Sequence, residues 1–463
     1  MKLHAQTRTR GRTGSVLIIV MWVSFGLVSL ALYFAQSMDF ELRASDNRSA
    51  GLEAEQTVQG GARYVAYILK TLGTNGQFPD LLNYQREGVP VGQGKFWIIG
   101  RADRQVNPSE PFFALVDESS KLNLNTATSN MLQSLPRMTP ELAAAIIDWR
   151  DSDNTVSPGG AESETYQRLQ PPYNCKNAPF ETVDELRLVY GADLETLYGE
   201  DVNLNGILDP NENDGTQLPP MDNRDSHLDP GLLEYVTIYS RQPNSNRTNV
   251  NDVMQLTSLL QQQFNTTRAN QILAQLTRGQ TPSRGGGGPG GRTGGGGNNA
   301  SNYKSILEFY VKSGMTVDEF SQISSLLTTT NGTYIDGLIN VNTASVEVLA
   351  CVPGIGTNNA ISMASYRQSS PDKLNSIAWV AEVLDQASAI QAGPFITTEC
   401  YQFTADIAGV GHNGRGYNRT KYVFDTSEGT PKILYRQDLT RLGWALGNIT
   451  QLKLQTQLAK ETR

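Results

Sequence analysis

Ser15-Val-Leu-Ile-Ile-Val-Met-Trp-Val-Ser-Phe-Gly-Leu-Val-Ser-Leu-Ala-Leu-Tyr-Phe-Ala35 carries no charge and no proline in a chain of 463 residues. A helix rises about 1.5 Å per residue, so this run is long enough to cross a bilayer core of about 30 Å. Lys2, Arg8, Arg10 and Arg12 precede it without an acid, and Asp39 and Glu41 follow it. That asymmetry orients a single-pass segment with its N-terminus in the cytoplasm. Beyond the run, Leu42, Leu52, Val58, Ala62, Val65 and Leu69 recur on one helical face until Gly73-Thr-Asn-Gly76 stops the pattern. The reading is one long helix over 15–72, half in the membrane and half outside it.

The chain as a whole is acidic, with net charge −8 and a pI near 5.2. General nucleic-acid binding needs a basic footprint, so it is disfavoured. His4, His227 and His412 stand in polar contexts without ligand spacing, and neither a GxSxG nor an HExxH sequence occurs. No catalytic residue is assigned and the chain is not read as an enzyme. Cys175, Cys351 and Cys400 form no CxxC. Outside the cytoplasm Cys351 and Cys400 either pair as a disulfide or stand as buried thiols, with Cys175 alone.

Strands are expected at Lys95–Gly100 and Pro111–Asp117, and again at Tyr401–Ala408, Arg419–Asp425 and Lys432–Arg436. The organisation is therefore α+β. A sheet begun over 73–122 is completed over 394–447, a tail follows at 448–463, and a helical insertion occupies 123–393. Within the insertion an Asn-alternating strand followed by paired helices repeats. One copy starts at Leu122-Asn-Leu-Asn-Thr-Ala127 and another at Ile339-Asn-Val-Asn-Thr-Ala344, with a degraded middle copy from Asn249-Val-Asn251. In the two clear copies Thr and Ser after the Asn pair supply N-cap hydroxyls. The units resemble helix-hairpin-helix modules, which often bind DNA through amides of a Gly-x-Gly turn such as Gly354-Ile-Gly356. Gln280–Asn299 is Gly-rich and reads as a disordered loop, without the Lys-Ser/Thr of a phosphate cradle.

Asp201-Val-Asn-Leu-Asn-Gly-Ile-Leu-Asp-Pro-Asn-Glu212 has the EF-hand loop pattern. Oxygen side chains fall at positions 1, 3, 5 and 9, glycine at 6 and Glu at 12. Asp201, Asn203, Asn205, the Ile207 carbonyl, Asp209 and Glu212 are the expected calcium ligands. Pro210 precludes an ordinary helix through the loop.

Gly14-Ser15, between the basic leader 1–14 and the apolar run, resembles a type IV prepilin cleavage site. A signal peptide cut at Ser29-Leu-Ala31 and a plain signal anchor are the competing readings. The order Asp148-Trp-Arg-Asp-Ser-Asp153, Gly160-Ala-Glu162 and Val183-Asp-Glu-Leu186 resembles the K-type minor pseudopilin family of bacterial type II secretion systems. Pilin-like subunits usually carry Glu at the fifth position after the cut, and this chain has Ile19 there, as a tip subunit without a neighbour above it can. The resemblance implies a pilin-like fold interrupted by the helical insertion, cleavage by prepilin peptidase with methylation, and residence in the inner membrane with the bulk periplasmic. It implies a place at the pseudopilus tip, initiating or capping assembly with the I- and J-type minor pseudopilins and the major pseudopilin. It also implies a second calcium site drawn from Asp151, Asp153 and Glu162, with Glu164 nearby. The alternatives are a membrane-tethered helix-hairpin-helix DNA-binding protein and a calcium-stabilised surface adhesin.

Overall fold

The uncharged run and the stretch after it form one continuous helix, α1 (Thr13–Leu72), 60 residues long and therefore about 90 Å from end to end. In the computed structural model the described residues are 13–73, 76–101, 111–217, 221–278 and 302–461. Most of the leader 1–14 and the Gly-rich stretch 280–299 lie outside them. Residues 16–45 of α1 are bare on every side. Burial starts at Ala50 and continues through Ala54, Val58, Val65 and Leu69, a spacing that keeps one face inward. Leu42 and Leu52, expected on that face, are exposed instead. The contact face uses small residues because the sheet comes close. A Cβ on Gly61 would stand 3.0 Å from Ile407 and 3.1 Å from Phe96.

That sheet is antiparallel and is assembled from the two ends of the chain. β1 (Val89–Val91), β2 (Gly94–Ile99) and β3 (Val116–Asp117) come before the insertion; β4 (Gln402–Val410), β5 (Tyr417–Asp425) and β6 (Lys432–Asp438) come after it. The order is β1-β2-β4-β5-β6, with β3 also on β4. Every residue of β4 is buried, since both of its faces are covered. Phe403, Ala405 and Ile407 pack toward α1. Ala408 and Val410 join Trp97, Ile99, Phe113 and Leu446 in a separate apolar cluster. A helix, Gly447–Glu461, occupies the expected tail.

The insertion has its own core and is built from three consecutive units. Each opens on a two-residue strand and closes on a parallel partner: Leu122–Asn123 with Val236–Thr237, Thr248–Asn249 with Leu327–Thr328, and Ile339–Asn340 with Ile396–Thr397. Two helices follow each opening strand: Ser129–Gln133 and Pro140–Arg150, Val253–Gln263 and Thr266–Arg278, Val346–Ala350 and Gly356–Ser369. The second Asn of each pair ties the unit together. Asn125 exchanges hydrogen bonds with the Phe180 backbone, Asn251 with that of Tyr303, and Asn342 bonds the Leu374 carbonyl and the Trp379 indole. The middle unit, degraded in sequence, keeps the full arrangement.

Cys351 and Cys400 do not pair. Both are free and buried, Cys351 in the insertion core and Cys400 in the core under α1. Burial pushes the Cys351 thiol up to about 12 and holds Cys400 well above the ordinary thiol range.

Candidate metal centres

The loop 201–212 closes on itself as its spacing demands. Gly206 has φ +76°, and the chain turns there so that acceptors from both limbs converge. The Asp201 carboxylate accepts from the amides of Asn205 and Gly206, each at 2.9 Å. Asn203 and Asn205 accept from the amides two residues on. Their side-chain amides both donate to Asp209 Oδ2, at 2.7 and 2.9 Å. Glu212 reaches back to the amides of Val202 and Asp209, at 3.0 and 3.1 Å. Asp201, Asn203, Asn205, Ile207 and Glu212 are buried. A 3-10 turn, Pro210–Glu212, replaces the exit helix that Pro210 precludes.

Burying this many oxygens without a countercharge is costly. Desolvation lifts the Asp201 carboxyl to about 6. Desolvation and then the Asp201 charge lift Glu212 to about 8. A divalent cation would reverse both shifts. The residues present fit calcium: hard oxygen donors, a glycine at the sharp turn and a terminal Glu.

The second cluster forms where the helix Pro140–Arg150 ends. Ligand atoms of Asp148, Asp151 and Glu162 all lie within 4.8 Å of one another. Asp151 caps the helix C-terminus. Asp148 is fully buried on the helix and accepts from the Ser157 amide. Gly160 allows the returning loop to pass, because a Cβ there would fall 2.1 Å from Asp148 Oδ2. Glu162 is 2% exposed, and neither of its carboxylate oxygens has a hydrogen-bond partner. Desolvation, then the charges of Asp148 and Asp151, raise its pKa. An orphaned buried carboxylate facing two others fits a divalent cation.

Sequence reasoning placed Asp153 and Glu164 near this site, and the structure moves both out. Asp153 is exposed and accepts from the Thr155 amide, while Glu164 is exposed and pairs with Arg168. Asp148 stands beside Asp151 and Glu162 instead. Its signal in the sequence was the spacing of two acids, Asp148 near the end of the helix and Asp151 at its C-cap.

The turns between the paired helices are occupied internally. Arg137 donates to the Asp229 carbonyl at 3.3 Å. A Cβ on Gly354 would meet the Ser388 carbonyl at 2.6 Å, so that glycine serves packing against the helix Gln386–Ala392.

Residues 114–198, which hold the Asp148 cluster and end before the 201–212 loop, match the family model of type II secretion system protein K. Over that stretch the chain is similar to the type II secretion protein K family. It is similar to the type II secretion system protein K of Pectobacterium carotovorum subsp. carotovorum, 43% identical over 53 residues, which is 11% of this chain and 16% of that protein. It is also similar to that of Klebsiella pneumoniae, 31% identical over 108 residues, 19% of this chain and 33% of that protein. The matched stretches thus span a third or less of these relatives. A chain from the solved GspK-GspI-GspJ complex of the enterotoxigenic Escherichia coli type 2 secretion system aligns at a TM-score of 0.39 and 11% identity, covering 86% of this chain and 99% of that one, a likeness too slight to argue from.

Proposed function

We propose that the chain is a minor pseudopilin of a type II secretion system, held in the bacterial inner membrane by α1 with its bulk in the periplasm. The observation that carries this reading is the division of α1: residues 16–45 are bare and apolar at the N-terminal end, and its far half is laid on a sheet whose strands flank a large insertion. A helix so divided serves first as an anchor and then as a rod to be packed by other helices. The insertion is far bulkier than the sheet it interrupts, which suits a subunit at the pseudopilus tip, above which nothing stacks. The I- and J-type minor pseudopilins are its neighbours on this reading, and the major pseudopilin lies below. Prepilin peptidase cuts after Gly14 and the new terminus at Ser15 is methylated. The two acidic centres hold calcium as structural crosslinks, which offset the entropy of ordering long loops.

Mass mapping of the N-terminus, on protein extracted from membranes with and without prepilin peptidase, tests this reading. The expected result is a peptidase-dependent, methylated terminus at Ser15. An intact Met1, or a cut near Ala31, sinks it.

A further inference from the structure

The geometry points to Arg419 and Arg101 as positioning residues that latch the 201–212 metal loop to the sheet, so that filling the loop and docking the insertion on the sheet are one coupled event; this rests on the calcium reading of that loop. Arg419, on β5, is fully buried. Its guanidinium forks onto Asp406 of β4, with Nε 2.9 Å from Oδ1. The same group donates from Nη1 to the Asn203 carbonyl and from Nη2 to the Leu204 carbonyl, the latter at 2.6 Å. Arg101, just past β2, donates to the Leu204 carbonyl at 3.1 Å and pairs with Glu234 of the insertion at 2.7 Å. Two sheet-side cations therefore hold the carbonyls of loop positions 3 and 4.

Those positions matter to the metal. Asn203 is an expected ligand, and Leu204 adopts φ +54°, a strained conformation for a branched side chain. Gly206 lies against Arg101, where a Cβ would meet the Arg101 Cδ at 3.0 Å. A guanidinium presents several donors in a rigid plane, so it fixes backbone carbonyls in a way a lysine does not. A loop held in its turned shape by the sheet has less ordering left to do when the ion arrives, and by reciprocity the ion strengthens the hold on the sheet.

The full chain in detergent, titrated with calcium alone, provides the test. Calorimetry gives the affinity and hydrogen exchange gives the reach of protection, with Asp201→Asn reporting which site is filled. Arg419→Gln strands the buried Asp406, so the paired change Asp406→Leu with Arg419→Met is also made to remove the latch without an orphan charge. In the wild type, calcium slows exchange in 199–231 and also across β4 and β5. In the paired variant, affinity at this loop falls about tenfold and the slowing of β4 and β5 disappears, while the loop retains some protection. Calcium protecting only the loop, with equal affinity in both proteins, overturns the latch and leaves the metal site standing. A wild type whose calcium binding is unaffected by Asp201→Asn overturns the metal reading of the loop, and the latch with it.

Discussion

Gly160 shows how much chemistry one absent side chain permits. The backbone at that point passes so close to Asp148 that a methyl group would fall within 2.1 Å of its carboxylate, far inside van der Waals contact. Asp148, Asp151 and Glu162 converge only because the returning loop fits there. Gly160→Ala therefore forces either the carboxylate or residues 157–162 aside. The expected outcome is loss of one calcium equivalent by metal analysis, with the 201–212 site still filled. Retention of both equivalents would show that the pass is not constrained. Much of this centre could be read from sequence, since the acids and glycines stood out as a group. Asp148 was passed over because a lone carboxylate between Ile147 and Trp149 has no pattern of its own beyond its spacing from Asp151, and only the fold turns it inward. Arg150 in fact faces the carbonyls of Leu124 and Ala127.

The three units of the insertion repeat at the level of elements more faithfully than at the level of residues. Each relies on an Asn that replaces a missing backbone partner, and Asn342 does so through a buried side chain as well as a carbonyl. Its amide donates to the Leu374 carbonyl and its oxygen accepts from the Trp379 indole, both at 3.0 Å. Trp379 is 1% exposed, so losing that acceptor leaves a buried N–H without a partner. Asn342→Ala is expected to lower stability by about 2–3 kcal/mol in denaturant unfolding. A change below about 0.5 kcal/mol would show that the tie is dispensable. The first and third copies were legible because Asn-x-Asn-Thr-Ala survives in both. The middle copy has Asn249-Val-Asn-Asp252, where Asp252 caps the next helix in place of the hydroxyl, so the cap chemistry persisted while the letters changed. The stretches 151–179 and 199–231, which carry most of the two acidic clusters, are long insertions in the first unit. The third unit has only Ser370–Lys373 at the place corresponding to the first of them, and 279–301, which holds the Gly-rich stretch, falls at that place in the second.

At the scale of the whole molecule, the insertion and the sheet meet through polar groups, and this is the part of the architecture that sequence patterning reveals least. Periodicity reports which faces are apolar and is silent on a joint made of Arg419 with Asn203 and Leu204, Arg101–Glu234, Glu118 with Thr237 and Thr404, and Asp117 with the third unit. Asp117 gives this joint a measurable pH dependence. It is 2% exposed and accepts from the Ser119 amide, Asn340 and Thr343, at 2.7, 2.8 and 2.6 Å. Desolvation outweighs those bonds and lifts its carboxyl to about 7. A carboxyl whose pKa is raised on folding contributes stability in full below its unfolded value near 3.8, and that contribution is lost as the pH rises through about 7. The stability of the wild type relative to Asp117→Asn should therefore fall between pH 4 and 7 by at most about 1.4 kcal/mol per pH unit, and level off above that. Taking the difference between the two proteins at constant calcium cancels the titration of the two acidic clusters. A difference that stays flat from pH 4 to 8 would mean that water or a rearranged Asn340 keeps Asp117 ionised, and that the joint opens enough in solution to hydrate it.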